Sequence, residues 1–165
     1  MRKTSLVAAI SLAVTTAASG SYADSIIEEV IVTAQKREQA ITDVALSVTA
    51  VSGEVARTMG IEDTRDVAML ATNVDIKGAG LADANPAITV RGIGMNNFNA
   101  NNNPSVGVYL DEVFLASPAM INLSMLDVGR IEVLKGPQGT LYGRNATGGA
   151  LNIISAKPTQ DLEGF

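Results

Sequence analysis

Asp127–Lys157 reads DVGRIEVLKGPQGTLYGRNATGGALNIISAK. Two apolar runs, Ile131-Glu132-Val133-Leu134 and Leu151-Asn152-Ile153-Ile154, flank a middle that holds Gly136, Gly139, Gly143, Gly148 and Gly149. Each run has the length and β-branched content of a buried strand. Glycine at this density permits positive φ and close backbone approach, which predicts compact turns between the two strands in place of a long helix. Lys135 and Arg144 beside the glycines raise a phosphate cradle as an alternative. Spacing rejects it, because a P-loop needs G-x-x-x-x-G-K-[ST] and Gly143 is followed by Arg144-Asn145. Gly92-Ile93-Gly94 likewise opens as a dinucleotide fingerprint would, but Asn97 holds the place of its third glycine.

The chain has 165 residues, the size of one domain. Arg2 and Lys3 precede an apolar run from Leu6 to Val14, and small and polar residues then lead to Ser21-Tyr22-Ala23. This order predicts a secretory signal peptide over residues 1–23, with an apolar run well short of the ~18 residues of a spanning helix. Cleavage after Ala23 leaves 142 residues and removes Arg2 and Lys3, taking the net charge from −5 to −7. An acidic exported domain is poorly suited to nucleic acid or anionic lipid, where Lys and Arg carry the attraction. Cysteine and histidine are both absent. The fold is therefore held without disulfides, zinc, haem and thiol chemistry lose their usual ligands, and a Ser-His-Asp triad is impossible. No metal, no cofactor and no enzymatic activity are expected.

From the predicted cleavage point, Glu28-Glu29 leads into the β-branched run Val30-Ile31-Val32-Thr33. Two readings of this run stand: an ordinary edge strand, or a tethered strand left free to pair with another protein by β-addition. Val44–Val51 alternates as a strand does, Ser52 can cap a helix from Gly53 to Met59, and Gly60 ends it. A second short helix runs from Asp63 or Thr64 to Ala71, followed by a strand at Val74–Ile76. Ala87–Gly94 reads as one strand ending in glycines. Six of the eight residues from Asn96 to Asn103 are asparagine, around Phe98, and this polar, turn-prone run predicts a loop closed by Pro104. It is either a plain loop tip or a ligand-facing loop, with amides as donors and acceptors and Phe98 as a stacking face. Val106–Leu110 is a further strand. Asp111-Glu112 is a polar turn, since adjacent acids on a strand face opposite ways and cannot share a catalytic proton. Met120–Leu126 is a short packing segment.

Arg130-Ile131-Glu132-Val133-Leu134-Lys135-Gly136-Pro137-Gln138-Gly139-Thr140-Leu141-Tyr142-Gly143, with Gly148–Ile154 behind it, resembles the closing motif of the plug domain of TonB-dependent outer-membrane receptors. Val90-Arg91-Gly92 and Val108-Tyr109-Leu110-Asp111 resemble two earlier plug motifs in the right order. Glu29-Val30-Ile31-Val32-Thr33-Ala34 is similar to the TonB box, which favours the tethered-strand reading of that run. The resemblance spans residues 28–159.

The resemblance implies an α+β plug, with a small mixed β-sheet and short helices, seated in a barrel of roughly 22 strands. Its division of the chain is a signal peptide (1–23), a flexible segment with the TonB box (24–40), the plug (41–160) and a truncated start of the barrel (161–165). It implies energised uptake of a large or scarce nutrient such as an iron-siderophore, with no bond of the nutrient broken. The periplasmic domain of TonB would take Glu29, Val30, Ile31, Val32, Thr33 and Ala34. Arg91, Arg130 and Lys135 would lock the plug against barrel acids. Asn96, Asn97, Phe98, Asn99, Asn101, Asn102 and Asn103 would form the loop facing the nutrient. The intact receptor would lie in the outer membrane. A chain with 142 mature residues, no Trp, and Phe98, Tyr109, Phe114, Tyr142 and Phe165 as its aromatics does not supply such a barrel. A truncated receptor is therefore expected, and a free-standing periplasmic binding or adaptor domain is the alternative.

Overall fold

The computed structural model describes residues 30–78, 85–95, 103–125 and 127–158. The two runs that bracket the glycines form its centre, as strands β9 (Val128–Lys135) and β10 (Gly149–Ser155), paired antiparallel with Ile131 opposite Ile153 and Val133 opposite Leu151. Strand β3 (Ser47–Ser52) pairs antiparallel with the other side of β9. Strand β7 (Val106–Leu110) runs parallel to β10, and β8 (Val113–Phe114) closes the far edge. The order β3-β9-β10-β7-β8 is thus a five-stranded mixed sheet. A separate three-stranded sheet is built from β4 (Val74–Lys77), β5 (Ala87–Val90) and β6 (Ile93–Gly94). A two-stranded ribbon joins β1 (Ile31–Val32) to β2 (Gln39–Ala40). The sheets are open, and no described helix is long and apolar enough to cross a membrane, which leaves strand-built membrane proteins untouched.

Alternation divides the side chains of the five-stranded sheet between two cores. Ile131, Val133, Leu151, Ile153, Val106 and Val108 face one way, against Ala56, Val67, Ala71, Val90 and Ile121. Leu134, Ala150 and Tyr109 face the other, against Val32, Ala34 and Val44. The ribbon therefore covers a face of the sheet that would otherwise meet water.

The helices are short and capped as their sequence demands. Helix α1 (Gly53–Thr58) begins where the Ser52 hydroxyl accepts from the Val55 N–H, and Gly60 follows its end with φ 72°. Asp63 caps a 3-10 turn at Thr64–Asp66 through a reciprocal pair of bonds with Asp66, and α2 (Val67–Leu70) continues from it. Between β9 and β10 the chain makes a single helical turn, α3 (Gly139–Tyr142), as the glycine density predicts. At Gly149 an added Cβ would lie 2.3 Å from the Leu134 carbonyl oxygen, so the close approach of β10 to β9 there admits only glycine.

One element departs from the sequence reading and another extends it. Ala87–Gly94 is a hairpin and not one strand, because Arg91 and Gly92 take φ 52° and 78° and turn β5 back into β6. Asp111 and Glu112, read as a polar turn, also have positive φ, at 46° and 67°, and form the two-residue turn that creates β8. Pro118–Met120 is a 3-10 turn, and Ile121 and Met125 beyond it enter the core.

Candidate functional site

The predicted partner strand lies across the sheet. Glu29 falls outside the described residues; Val30–Ala34 are seen, and they are not free in this conformation. Val32 pairs with Gln39 and Ile31 with Ala40, and the Ile41 N–H donates to the Val30 carbonyl at 2.9 Å. Val32 and Ala34 are fully buried against the second core, while Val30 and Ile31 remain exposed. From residue 30 onward the predicted TonB-box segment lies docked as a ribbon in this conformation. Burial of alternate small apolar side chains on a waiting apolar face holds it there.

A buried carboxylate fastens it. Glu132 sits in the middle of β9 with no exposed surface. Its Oε1 accepts from the Thr33 N–H at 2.6 Å, the Thr33 hydroxyl at 3.1 Å and Arg130 Nε at 2.8 Å. Its Oε2 accepts from Asn152 Nδ2 at 3.3 Å. Arg130 and Glu132, two residues apart on one strand, necessarily share a face, and an Arg130 terminal nitrogen also donates to the Thr33 hydroxyl at 3.1 Å. A buried charge is tolerated when it is paired and its lone pairs are satisfied, as these are.

Tyr142 adds a second fastening. Its hydroxyl donates to the Ala34 carbonyl at 3.2 Å, its ring meets Tyr109 edge-on at 4.9 Å, and Lys36 Nζ stands 5.8 Å from the ring centre. The Tyr109 hydroxyl in turn donates to the Tyr142 carbonyl at 2.7 Å. Burial, reinforced by the Glu132 charge, pushes the Tyr142 phenol up to about 12. The folded chain therefore holds this proton through a range where the unfolded chain, with a phenol near 10.0, has lost it. Stability is expected to fall as pH rises from 10 toward 12, and Tyr142→Phe should flatten that fall in thermal unfolding curves taken across the range.

The three predicted locking cations do not lie together. Arg91 stands in the hairpin turn, with its N–H donating to the Asn73 carbonyl at 2.8 Å and its guanidinium beside Gly136. Lys135, at the end of β9, donates to the Thr72 hydroxyl at 3.2 Å. These two share one rim. Arg130 lies on the opposite face of the sheet and is paired with Glu132. Of the predicted nutrient-facing loop, Asn96, Asn97, Phe98, Asn99, Asn101 and Asn102 fall outside the described residues, and Asn103 is exposed. Asp111 is occupied by the Ser155 N–H at 2.9 Å and by the Ser155 hydroxyl, so it staples β10 to the hairpin turn.

Sequence reasoning passed over Glu132, Asn152 and Tyr142. The signal for the first two was present: an acid and an amide at matching positions of two otherwise apolar strands, where neither belongs unless it is partnered. Thr33, the partner of Glu132, lies 99 residues before it, and no local pattern links the two.

The same arrangement of strands is found in known proteins. The family model of the TonB-dependent receptor plug domain matches residues 40–150. The vitamin B12 transporter BtuB of Vibrio vulnificus is 30% identical over 141 residues, covering 83% of this chain and 22% of the transporter. The pesticin receptor of Yersinia enterocolitica is 43% identical over 63 residues, 38% of this chain and 9% of the receptor. Among solved structures, the ferric yersiniabactin uptake receptor FyuA of Yersinia pestis aligns with a TM-score of 0.62 and 30% identity, over 68% of this chain and 17% of that one. The chain thus spans less than a quarter of the length of each of these relatives. The family model covers two thirds of the chain, and the chain belongs to the TonB-dependent receptor plug-domain family.

Proposed function

We propose that this chain serves as the plug of an energised outer-membrane receptor for a large or scarce nutrient such as an iron-siderophore, and that residues 29–34 are the strand taken by the periplasmic domain of TonB. The observation that carries this reading is the placement of Val30–Ala34: a short strand ahead of the plug sheet, held by a handful of hydrogen bonds and two small side chains. That hold is strong enough to seat the strand and weak enough to let a pulling partner remove it. In the complete receptor, Arg91 and Lys135 on their shared rim face barrel acids, Arg130 serves the inside of the plug, and residues 96–103 face the nutrient. The names of the relatives, which include receptors for siderophores and for vitamin B12, support uptake of such compounds.

A peptide spanning Glu28–Lys36 is expected to bind the periplasmic domain of TonB saturably in calorimetry. Thr33→Pro in that peptide is expected to abolish binding, since proline removes the N–H that an added strand would use. A wild-type peptide that shows no saturable binding removes the coupling role from this segment.

A further inference from the structure

The ribbon has two edges, and they are not equally available. In an antiparallel pair the main-chain groups of successive residues point alternately to one side and the other. The Val30 carbonyl is bonded to the Ile41 N–H, so Val30 and Val32 are turned toward β2, while Ile31 and Thr33 are turned to the outer edge. A second strand adding to that outer edge has to use the main-chain groups of Ile31 and Thr33. The Thr33 N–H is taken by Glu132 at 2.6 Å, and the Thr33 carbonyl is taken by the Lys36 N–H at 2.8 Å. Ile31 lines, with Val30, Val51, Val55 and Arg130, a groove of about 290 Å³. Val30, Ile31 and Val55 are three of the exposed large apolar residues of the chain.

We infer that Glu132 is the gate on the partner strand: an incoming strand registers first at Ile31, beside the groove, and pairs with Thr33 only when the Thr33 N–H leaves the Glu132 carboxylate. This rests on the function proposed above and adds to it the residue that sets how readily the strand is surrendered. At the Thr33 N–H the exchange is one for one. Thr33 trades a carboxylate acceptor for a carbonyl of the partner, and Glu132 keeps Arg130 and Asn152 as donors, so the carboxylate is not stranded when the strand departs.

The test uses the chain from Asp24 in wild-type, Glu132→Gln and Thr33→Val forms, beside the free Glu28–Lys36 peptide, which has no gate. Affinity for the periplasmic domain of TonB is measured together with the hydrogen-exchange rate of the Thr33 amide. The wild-type chain is expected to bind about tenfold more weakly than the peptide, the scale of one hydrogen bond to a charged group. Glu132→Gln is expected to recover most of that factor and to speed Thr33 exchange by a similar one. Thr33→Val keeps the main-chain N–H, alters no residue of β9 and loses the hydroxyl contacts to Glu132 and Arg130. It is expected to shift both readouts the same way by about threefold, as loss of a weaker bond would, and it carries the test if Glu132→Gln fails to fold. Equal affinity of wild-type chain and peptide overturns the gate, as does wild-type Thr33 exchange in a folded Glu132→Gln chain. A peptide that does not bind at all overturns the underlying reading instead, and the gate falls with it.

Discussion

Arg130→Ala is expected to lower the unfolding free energy of the chain by about 3 kcal/mol, the near end of the range for breaking a buried ion pair from one side. The reason is the asymmetry of the pair. Glu132 is wholly buried, while the Arg130 side chain keeps 22% of its surface in water. Removing Arg130 leaves a carboxylate in the interior with no cation, and the neutral donors Thr33 and Asn152 compensate only part of its lost hydration. Glu132→Gln, in contrast, removes the charge that needed company and leaves a guanidinium that can still reach solvent. It is expected to cost less than half as much. A double variant, Arg130→Met with Glu132→Leu, is expected to recover most of the loss, because replacing both members by apolar groups avoids the desolvation cost altogether. Urea unfolding of the four chains under one buffer checks the order. Equal losses for the two single variants would mean that Glu132 finds solvent or another cation when Arg130 is gone.

Gly53→Ala is expected to cost about as much, roughly 3 kcal/mol, the upper part of the range for overpacking. A Cβ at this position would stand 1.7 Å from the Val128 carbonyl oxygen and 3.3 Å from that of Gly129. Both neighbours are main chain of the central strand and have no rotamer to yield. The first turn of α1 would have to lift from β9, and Ala56, buried in the first core, would lift with it. Gly60 provides the control, because it has φ 72° and nothing within 4 Å of an added Cβ. Gly60→Ala should therefore cost only the left-handed backbone strain, about 1 kcal/mol. Denaturation midpoints for the two variants separate contact from conformation. If Gly53→Ala proves as mild as Gly60→Ala, the helix is less firmly seated on β9 than its geometry indicates.

Much of the fold was legible in the chain. The apolar runs around Glu132 and Asn152, the glycines between them and the short run Val106–Leu110 each reflect a local rule of strand composition or backbone freedom, and each became the expected strand or turn. The Ser52 cap and the Gly60 stop were read from single residues for the same reason. The hairpin at Arg91-Gly92 was missed because Arg91 takes positive φ, which local preference disfavours and only pairing of β5 with β6 makes worthwhile. Gly53 was read as the start of a helix, while its necessity lies in a carbonyl 75 positions later in the sequence.

By itself the sequence determined the central strands, the glycine turns between them, the order of the plug motifs and hence the family, because these depend on patterns a few residues long. What covers each face was decided only by the tertiary structure. Alternation puts Arg130, Glu132 and Leu134 on one side of β9, but it does not say whether that side meets water, a surrounding wall or the chain's own first residues. The folded chain lays Val32, Thr33 and Ala34 there. That contact turns Arg130 from an outward cation into an internal one, and it makes a buried carboxylate the holder of the strand that a partner would pull.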